Sequence, residues 1–111
     1  MSQFQPFEQD AVRLLVAPIL GAATVDVILA EATFVSYEYT GVGYFLTVKH
    51  PSIPEPRIVA SEPLVIGRAG NTEGGFIAFM SNGEMMLECY SAGTENVPEN
   101  FREQTVLLDP T

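Results

Sequence analysis

The sequence predicts an α+β domain in which an N-terminal helix packs on an antiparallel β-sheet of four to six strands built from two hairpins. Three observations support this prediction. Apolar residues recur at helical spacing near the N-terminus, and two pairs of β-prone runs follow, one interrupted by Gly41-Val42 and the other by Asn82-Gly83. At 111 residues the chain is expected to form a single domain, residues 1–111.

The first helix is predicted to span about Pro6–Val16. Proline suits a first helical turn, and Glu8 favours the positive end of the helix. We expect a kink or an end between Pro18 and Gly21, because proline lacks an N–H and glycine is a common helix stop. Residues 22–32 are ambiguous, since alternating apolar residues favour a strand whereas several alanines favour a helix. We interpret part of this segment as helix.

The first hairpin is predicted from Phe34–Thr40 and Gly43–Lys49. Glycine in the first central position, as in Gly41-Val42, is what a type II′ turn requires. Pairing Thr40 with Gly43 gives one apolar face and one mixed face. The predicted apolar face holds Val35, Tyr37, Tyr39, Tyr44, Leu46 and Val48.

The segments between and after the hairpins are expected to be short strands and loops. Prolines exclude residues 50–56 from a sheet interior. Four glycines within residues 67–75 predict a mobile connection there. Residues 50–56 are predicted to form a loop. Arg57–Ala60 and Leu64–Ile66 follow, either as an edge strand or as a strand and a loop, and Gly67–Gly75 is predicted to be a connection. After the second hairpin, a loop at Ala92–Asn100 is predicted to lead to a last strand at Thr105–Leu108.

The second hairpin, Gly74–Ser91, carries the strongest signal in the sequence. Asn82-Gly83 is the preferred pair for a type I′ turn, because both central residues need a positive φ. This turn pairs Ser81 with Glu84 and fixes which side chains share a face. The apolar face holds Phe76, Ala78, Met80, Met85, Leu87 and Cys89, and the mixed face holds Ile77, Phe79, Ser81, Glu84, Met86 and Glu88.

Composition and charge limit the classes of partner. Hydrophobic residues make up 47% of the chain and charged residues 17%, which excludes a disordered chain and leaves apolar surface that a partner could share. A net charge of −9 argues against nucleic acid and favours a basic protein, although the charge could serve solubility alone. The sequence has no apolar run long enough to predict a membrane span. The single cysteine, Cys89, suits a buried thiol in a reducing compartment, so we expect a cytoplasmic protein.

No catalytic, metal or nucleotide motif stands out, and we expect no cofactor. His50 lacks the several partners that a metal site needs, and Cys89 has Phe76 opposite it rather than a base. Glu84 and Glu88 share a face, but exposed charge beside an apolar patch explains them more simply than acid–base chemistry. Whether the chain is an enzyme stays open, and the residues favour a non-enzymatic role.

Four segments resemble a set of small uncharacterised bacterial proteins. The similar segments are Tyr39–Phe45, Gly74–Phe79, Gly83–Tyr90 and Pro98–Glu99, and the resemblance spans roughly Val35–Phe101. The chain departs from the pattern at Cys89, where a glycine is usual, and at Val97, where an aromatic residue is usual. Proteins of this size and charge occur as immunity partners of secreted bacterial toxins, so the resemblance permits that role here.

Two function classes follow. The first is a non-enzymatic acidic module that binds a protein, such as an immunity-type inhibitor of a basic toxin. The alternative is a small-ligand-binding or enzymatic domain with a pocket between helix and sheet. The apolar part of the mixed face also predicts a homodimer. The residues predicted to contact a partner are Ile77, Phe79, Glu84, Met86, Glu88, Tyr90, Glu95 and Glu99.

Overall fold

A computed structural model describes residues 3–110 and confirms an α+β fold with an antiparallel sheet. The predicted four to six strands are wrong, because the sheet has seven. The helices are α1 (Pro6–Leu20) and α2 (Ala22–Glu31), and a short 3₁₀ helix spans Phe101–Glu103. The strands are β1 (Thr33–Tyr39), β2 (Tyr44–Lys49), β3 (Ile58–Ala60), β4 (Val65–Ala69), β5 (Thr72–Ser81), β6 (Glu84–Ser91) and β7 (Leu107–Pro110).

The strands lie in the order β1-β2-β6-β5-β4-β7, and β3 pairs with β5 beside β4. The predicted connection at 67–75 is wrong, because Gly67 belongs to β4 and Gly74 to β5. These glycines permit close packing: a Cβ on Gly67 would lie 2.7 Å from Val106, and one on Gly74 would lie 2.7 Å from the Cys89 sulfur. Gly67 and Gly74, which suggested a mobile connection, are therefore needed for close packing within the sheet.

The helices meet at Gly21. Helix α1 passes through Pro18 and ends at Leu20, so the missing proline N–H removes a hydrogen bond only in the last turn. Gly21 has a φ of 92° and donates its N–H to the Ala17 carbonyl at 2.8 Å. The ambiguous segment that follows is a helix, whose buried residues Val25, Ile28 and Leu29 recur at helical spacing.

The first hairpin has the predicted register near its turn and a different one farther away. Tyr39 lies opposite Tyr44, and Gly41 has a φ of 93°. Past Ser36 the register shifts, so Val35 is the extra residue of a bulge and Phe34 lies opposite Val48. The prediction that Val35 lies on the apolar face is therefore wrong.

The second hairpin follows the predicted register along its whole length. Asn82 and Gly83 have φ values of 51° and 75°, as a type I′ turn requires. All six predicted core residues of this hairpin are buried, and Phe76 packs against Phe7 of α1 at 6.0 Å between ring centroids. We call this side of the sheet the inner face and the opposite side the outer face.

Candidate functional site

The outer face carries a cluster of apolar side chains that no helix covers within residues 3–110. Helix α1 packs on the inner face, and α2 packs beside α1. On the outer face Phe79 lies opposite both Met86 of β6 and Val59 of β3. We define the outer-face patch as Phe45, Val59, Ile77, Phe79 and Met86. Val59 is 46% exposed and the other four are half-buried, so the patch is open to solvent.

One end of the outer-face patch is extended by an aromatic ring lying flat on the sheet. Tyr90 lies opposite Gly75 in the pairing of β6 with β5. A Cβ on Gly75 would come within 2.1 Å of the Tyr90 ring, so only glycine leaves room for the ring in this position. The half-buried Tyr90 thereby joins the predicted surface.

Acidic side chains border the patch. Glu88 lies between Ile77 and Phe45 on neighbouring strands, and Glu84 lies opposite Lys49. The acidic residues that make no ion pair within residues 3–110 are Glu38, Glu55, Glu62, Glu84, Glu88, Glu95, Glu99 and Glu103. Three arginines, by contrast, are held by carboxylates of the chain itself: Arg13, Arg68 and Arg102. The charge of these eight carboxylates is thus not neutralised by ion pairs within the described residues.

The eight residues predicted to contact a partner do not all lie together. Six lie on the outer face: Ile77, Phe79, Glu84, Met86, Glu88 and Tyr90. Glu95 and Glu99 are exposed on the loop after β6. Between them, Val97 is buried, and its carbonyl accepts a hydrogen bond from the Tyr39 hydroxyl at 2.8 Å. Because Tyr39 lies opposite the core residue Tyr44, this part of the loop lies towards the inner face.

A second polar cluster, which sequence reasoning missed, is centred on the fully buried Glu8. Its carboxylate accepts hydrogen bonds from the Tyr44 hydroxyl, from Arg102 Nε at 2.8 Å and Nη2 at 2.9 Å, and from the Gln5 N–H at 2.7 Å. The Arg102 guanidinium also lies over the Tyr37 ring, 5.3 Å from its centroid. The spacing of Gln5 and Glu8 signals a capping box, but nothing in the sequence points to an arginine 94 residues away.

The side chains of this cluster offer no reactive group near neutral pH. Burial raises the pKa of the Tyr44 phenol, and the Glu8 carboxylate raises it further. Burial likewise raises the pKa of the Cys89 thiol, with Glu8 adding to the effect. Both groups therefore keep their protons near neutral pH, and the Glu8 oxygens are already occupied by donors. The arrangement ties α1 to the C-terminal segment that carries Arg102.

A cleft of about 560 Å³ lies at the turn end of the second hairpin. It is lined by Glu31, Thr33, Lys49, His50, Pro51, Asn82, Gly83 and Glu84. The His50 side chain is 10% exposed; its Nδ1 accepts the Ser52 N–H at 3.0 Å, so Nε2 carries the proton and donates to Glu31 at 3.1 Å. Both ring nitrogens are occupied, which leaves neither free to act as a base. We call this site the His50 cleft.

The space beneath α1 is where the alternative prediction placed a ligand pocket. At its centre the rings of Phe7, Phe76 and Phe101 pack together, with Phe7 5.8 Å from Phe101. Smaller clefts of about 340 and 320 Å³ lie at the two ends of α1, beside Pro18 and beside Pro6. The middle of the helix–sheet interface is therefore filled by side chains.

Within residues 3–110, no three His, Cys, Asp or Glu side chains lie close enough together to hold a metal ion. None of the helices in that range has both the length and the apolar character needed to cross a membrane. Comparisons of the chain with protein-family models, with curated proteins and with solved structures gave no match.

Proposed function

We propose that this protein is a non-enzymatic binding module that holds a basic protein partner on the outer face of its sheet. The observation that supports it most is the outer-face patch, which spans β2, β3, β5 and β6 and has no covering helix among the described residues. Fully burying an apolar side chain of this size from water is worth about 1.5–3 kcal/mol. Ile77, Phe79 and Met86 are already half-buried, so a partner that covers them gains the part of this free energy that belongs to their exposed surface.

The charge around the patch supports a basic partner. Glu84 and Glu88 have no ion pair within the described chain, and the net charge of the sequence is −9. A positively charged surface would be drawn to this face at long range, and a negatively charged one would be repelled. The complex should consequently weaken as salt screens the attraction.

The form of the function that we propose is inhibition of a basic toxin. The resemblance to small bacterial proteins permits this choice, because proteins of this size and charge occur as immunity partners of secreted toxins. An inhibitor that acts by covering its partner needs no catalytic group, which agrees with a Glu8 cluster that offers no reactive group near neutral pH. The free, buried Cys89 supports a reducing, cytoplasmic location.

The experiment is affinity capture from the native cell with three baits, read by mass spectrometry. Wild type is compared with Phe79→Glu, which puts a charge in the outer-face patch, and with Val27→Glu, which puts the same charge on α2. Val27 is 40% exposed and away from the sheet, so it is a matched control for an added glutamate. Melting curves of all three baits establish that each is folded.

We expect wild type and Val27→Glu to retain the same basic protein, and Phe79→Glu to lose it. Retention should fall when the wash is raised from low to high salt. Equal retention by all three baits would show that the partner binds outside the outer-face patch. Specific capture of an acidic protein would refute the charge argument.

A further inference from the structure

The His50 cleft is a preformed site at the edge of the outer face. Three chain segments meet around it: Thr33 pairs with Lys49 in the sheet, and backbone hydrogen bonds join the 50–55 loop to the turn at Asn82 and Gly83. The His50 N–H donates to the Gly83 carbonyl at 3.1 Å, and the N–H of Asn82 donates to Glu55 at 2.9 Å. Because the walls are held in place, a group that enters the cleft does not have to order them first.

The electrostatics of the cleft favour a cation. His50 holds Oε1 of Glu31, while the second carboxylate oxygen makes no hydrogen bond within residues 3–110 and the side chain is 64% exposed. Glu31 is also the last residue of α2, where the helix dipole is negative. Glu84 adds a second carboxylate to the lining, and Lys49 opposes them with one positive charge.

Two of the lining residues connect the cleft to the proposed binding face. Lys49 and Glu84 lie opposite each other in the sheet, in the same face-alternation as Phe79 and Met86. A protein seated on the outer-face patch would therefore lie beside the cleft, because the outer face and the cleft share Lys49 and Glu84.

We propose that the His50 cleft is a socket for an arginine side chain of the bound partner, an inference that rests on the proposed function. A guanidinium is planar and offers several N–H donors in one plane, so it can bond the free oxygen of Glu31, while Glu84 on the same lining adds to the attraction. Its flat face can also stack against Pro51, which is exposed and lines the same cleft. An ammonium is a point charge that lacks this stacking surface, so lysine is the poorer ligand.

The test uses N-acetyl-L-arginine amide as the probe and ¹⁵N-labelled protein in an NMR titration. We expect saturable shifts at the amides of Ser52, Asn82, Gly83 and Glu84, with a millimolar dissociation constant. Glu31→Gln should raise that constant about threefold. Lys49→Gln should lower it, because one repelling charge is removed. Glu62→Gln, a matched change at an exposed carboxylate that lines a different cleft, should leave it unchanged.

Shifts that do not saturate, or an equal dissociation constant in Glu31→Gln and wild type, would overturn the socket. Tighter binding of N-acetyl-L-lysine amide than of the arginine probe would also overturn it. The socket and the proposed function can fail separately. If wild type captures a partner through the outer face but the arginine probe gives no saturable shifts, only the socket fails. If the probe binds the cleft but no partner is captured through the outer face, the cleft still binds arginine and the proposed function fails.

Discussion

The buried Glu8 carboxylate links the first turn of α1 to the C-terminal segment. Exposed ion pairs contribute at most about 1 kcal/mol, but removing one partner of a buried pair leaves the other charge poorly solvated. Arg102 is one-fifth exposed, which moderates that penalty. We expect Glu8→Gln to lower the free energy of unfolding by about 2–3 kcal/mol.

Urea denaturation measures this change, and Arg13→Gln is its control. Arg13 contacts Asp10 and Asp26 on the surface, with nearly half of its side chain exposed. Its replacement should change stability by less than about 0.5 kcal/mol. Similar losses in the two variants would mean that the Glu8 pair is no stronger than a surface contact.

Alkaline pH offers a second measurement on the same cluster. Cys89 and Tyr44 have raised pKa values when folded, whereas in the unfolded chain they ionise near their ordinary values of 9.0 and 10.0. At pH values below these, each group holds its proton in both the folded and the unfolded chain, and the free energy of unfolding has its full value. Above them the unfolded chain releases protons that the folded protein retains, so each group lowers the unfolding free energy by about 1.4 kcal/mol per pH unit.

Unfolding free energies measured from pH 8 to pH 11 test this directly. Cys89→Ala should delay the onset of the decline from about pH 9 to about pH 10, and Tyr44→Phe should make the slope above pH 10 shallower. Curves parallel to that of wild type would show that neither group retains its proton in the folded state.

At the scale of elements, the second hairpin places Leu87 on the inner face and Glu88 on the outer face. Truncating a fully buried leucine removes its packing and leaves a cavity, so Leu87→Ala should cost about 3 kcal/mol. Glu88→Gln keeps the shape of a half-buried side chain that makes no ion pair within residues 3–110, and should cost less than about 0.5 kcal/mol. Thermal melts compare the two, and equal losses would contradict the observed register.

The same hairpin shows how much of the fold a sequence can predict. Asn82-Gly83 fixes the turn, and the turn fixes every pair along β5 and β6. Five residues of the candidate surface were predicted because they alternate along these two strands: Ile77, Phe79, Glu84, Met86 and Glu88. The bulge at Val35 and the strand through Gly67 could not be predicted, since they depend on contacts with distant segments. Arg102 was missed for the same reason.

At the scale of the whole molecule, self-association is the competing use of the outer face. Two copies that meet through Phe79 and Met86 would bring Glu84 and Glu88 of each copy together, and salt would relieve that repulsion. A homodimer should therefore tighten as salt rises, the opposite of a complex with a basic partner. Phe79→Glu should remain monomeric while its circular dichroism stays that of wild type.

Sedimentation equilibrium of wild type and Phe79→Glu at low and high salt decides between these outcomes. A wild-type dimer at tens of micromolar that strengthens with salt and disappears in the variant assigns the patch to a second copy. A monomer under both conditions excludes that occupant at this concentration.

The contact between Glu8 and Arg102 also affects the time course of folding. These residues are 94 apart in sequence, so their meeting requires nearly the whole chain to be arranged first. An interaction that forms after the rate-limiting barrier leaves the folding rate almost unchanged and slows only the escape from the native state. Stopped-flow mixing should therefore show that Glu8→Gln unfolds about 30- to 150-fold faster than wild type and refolds at nearly the same rate.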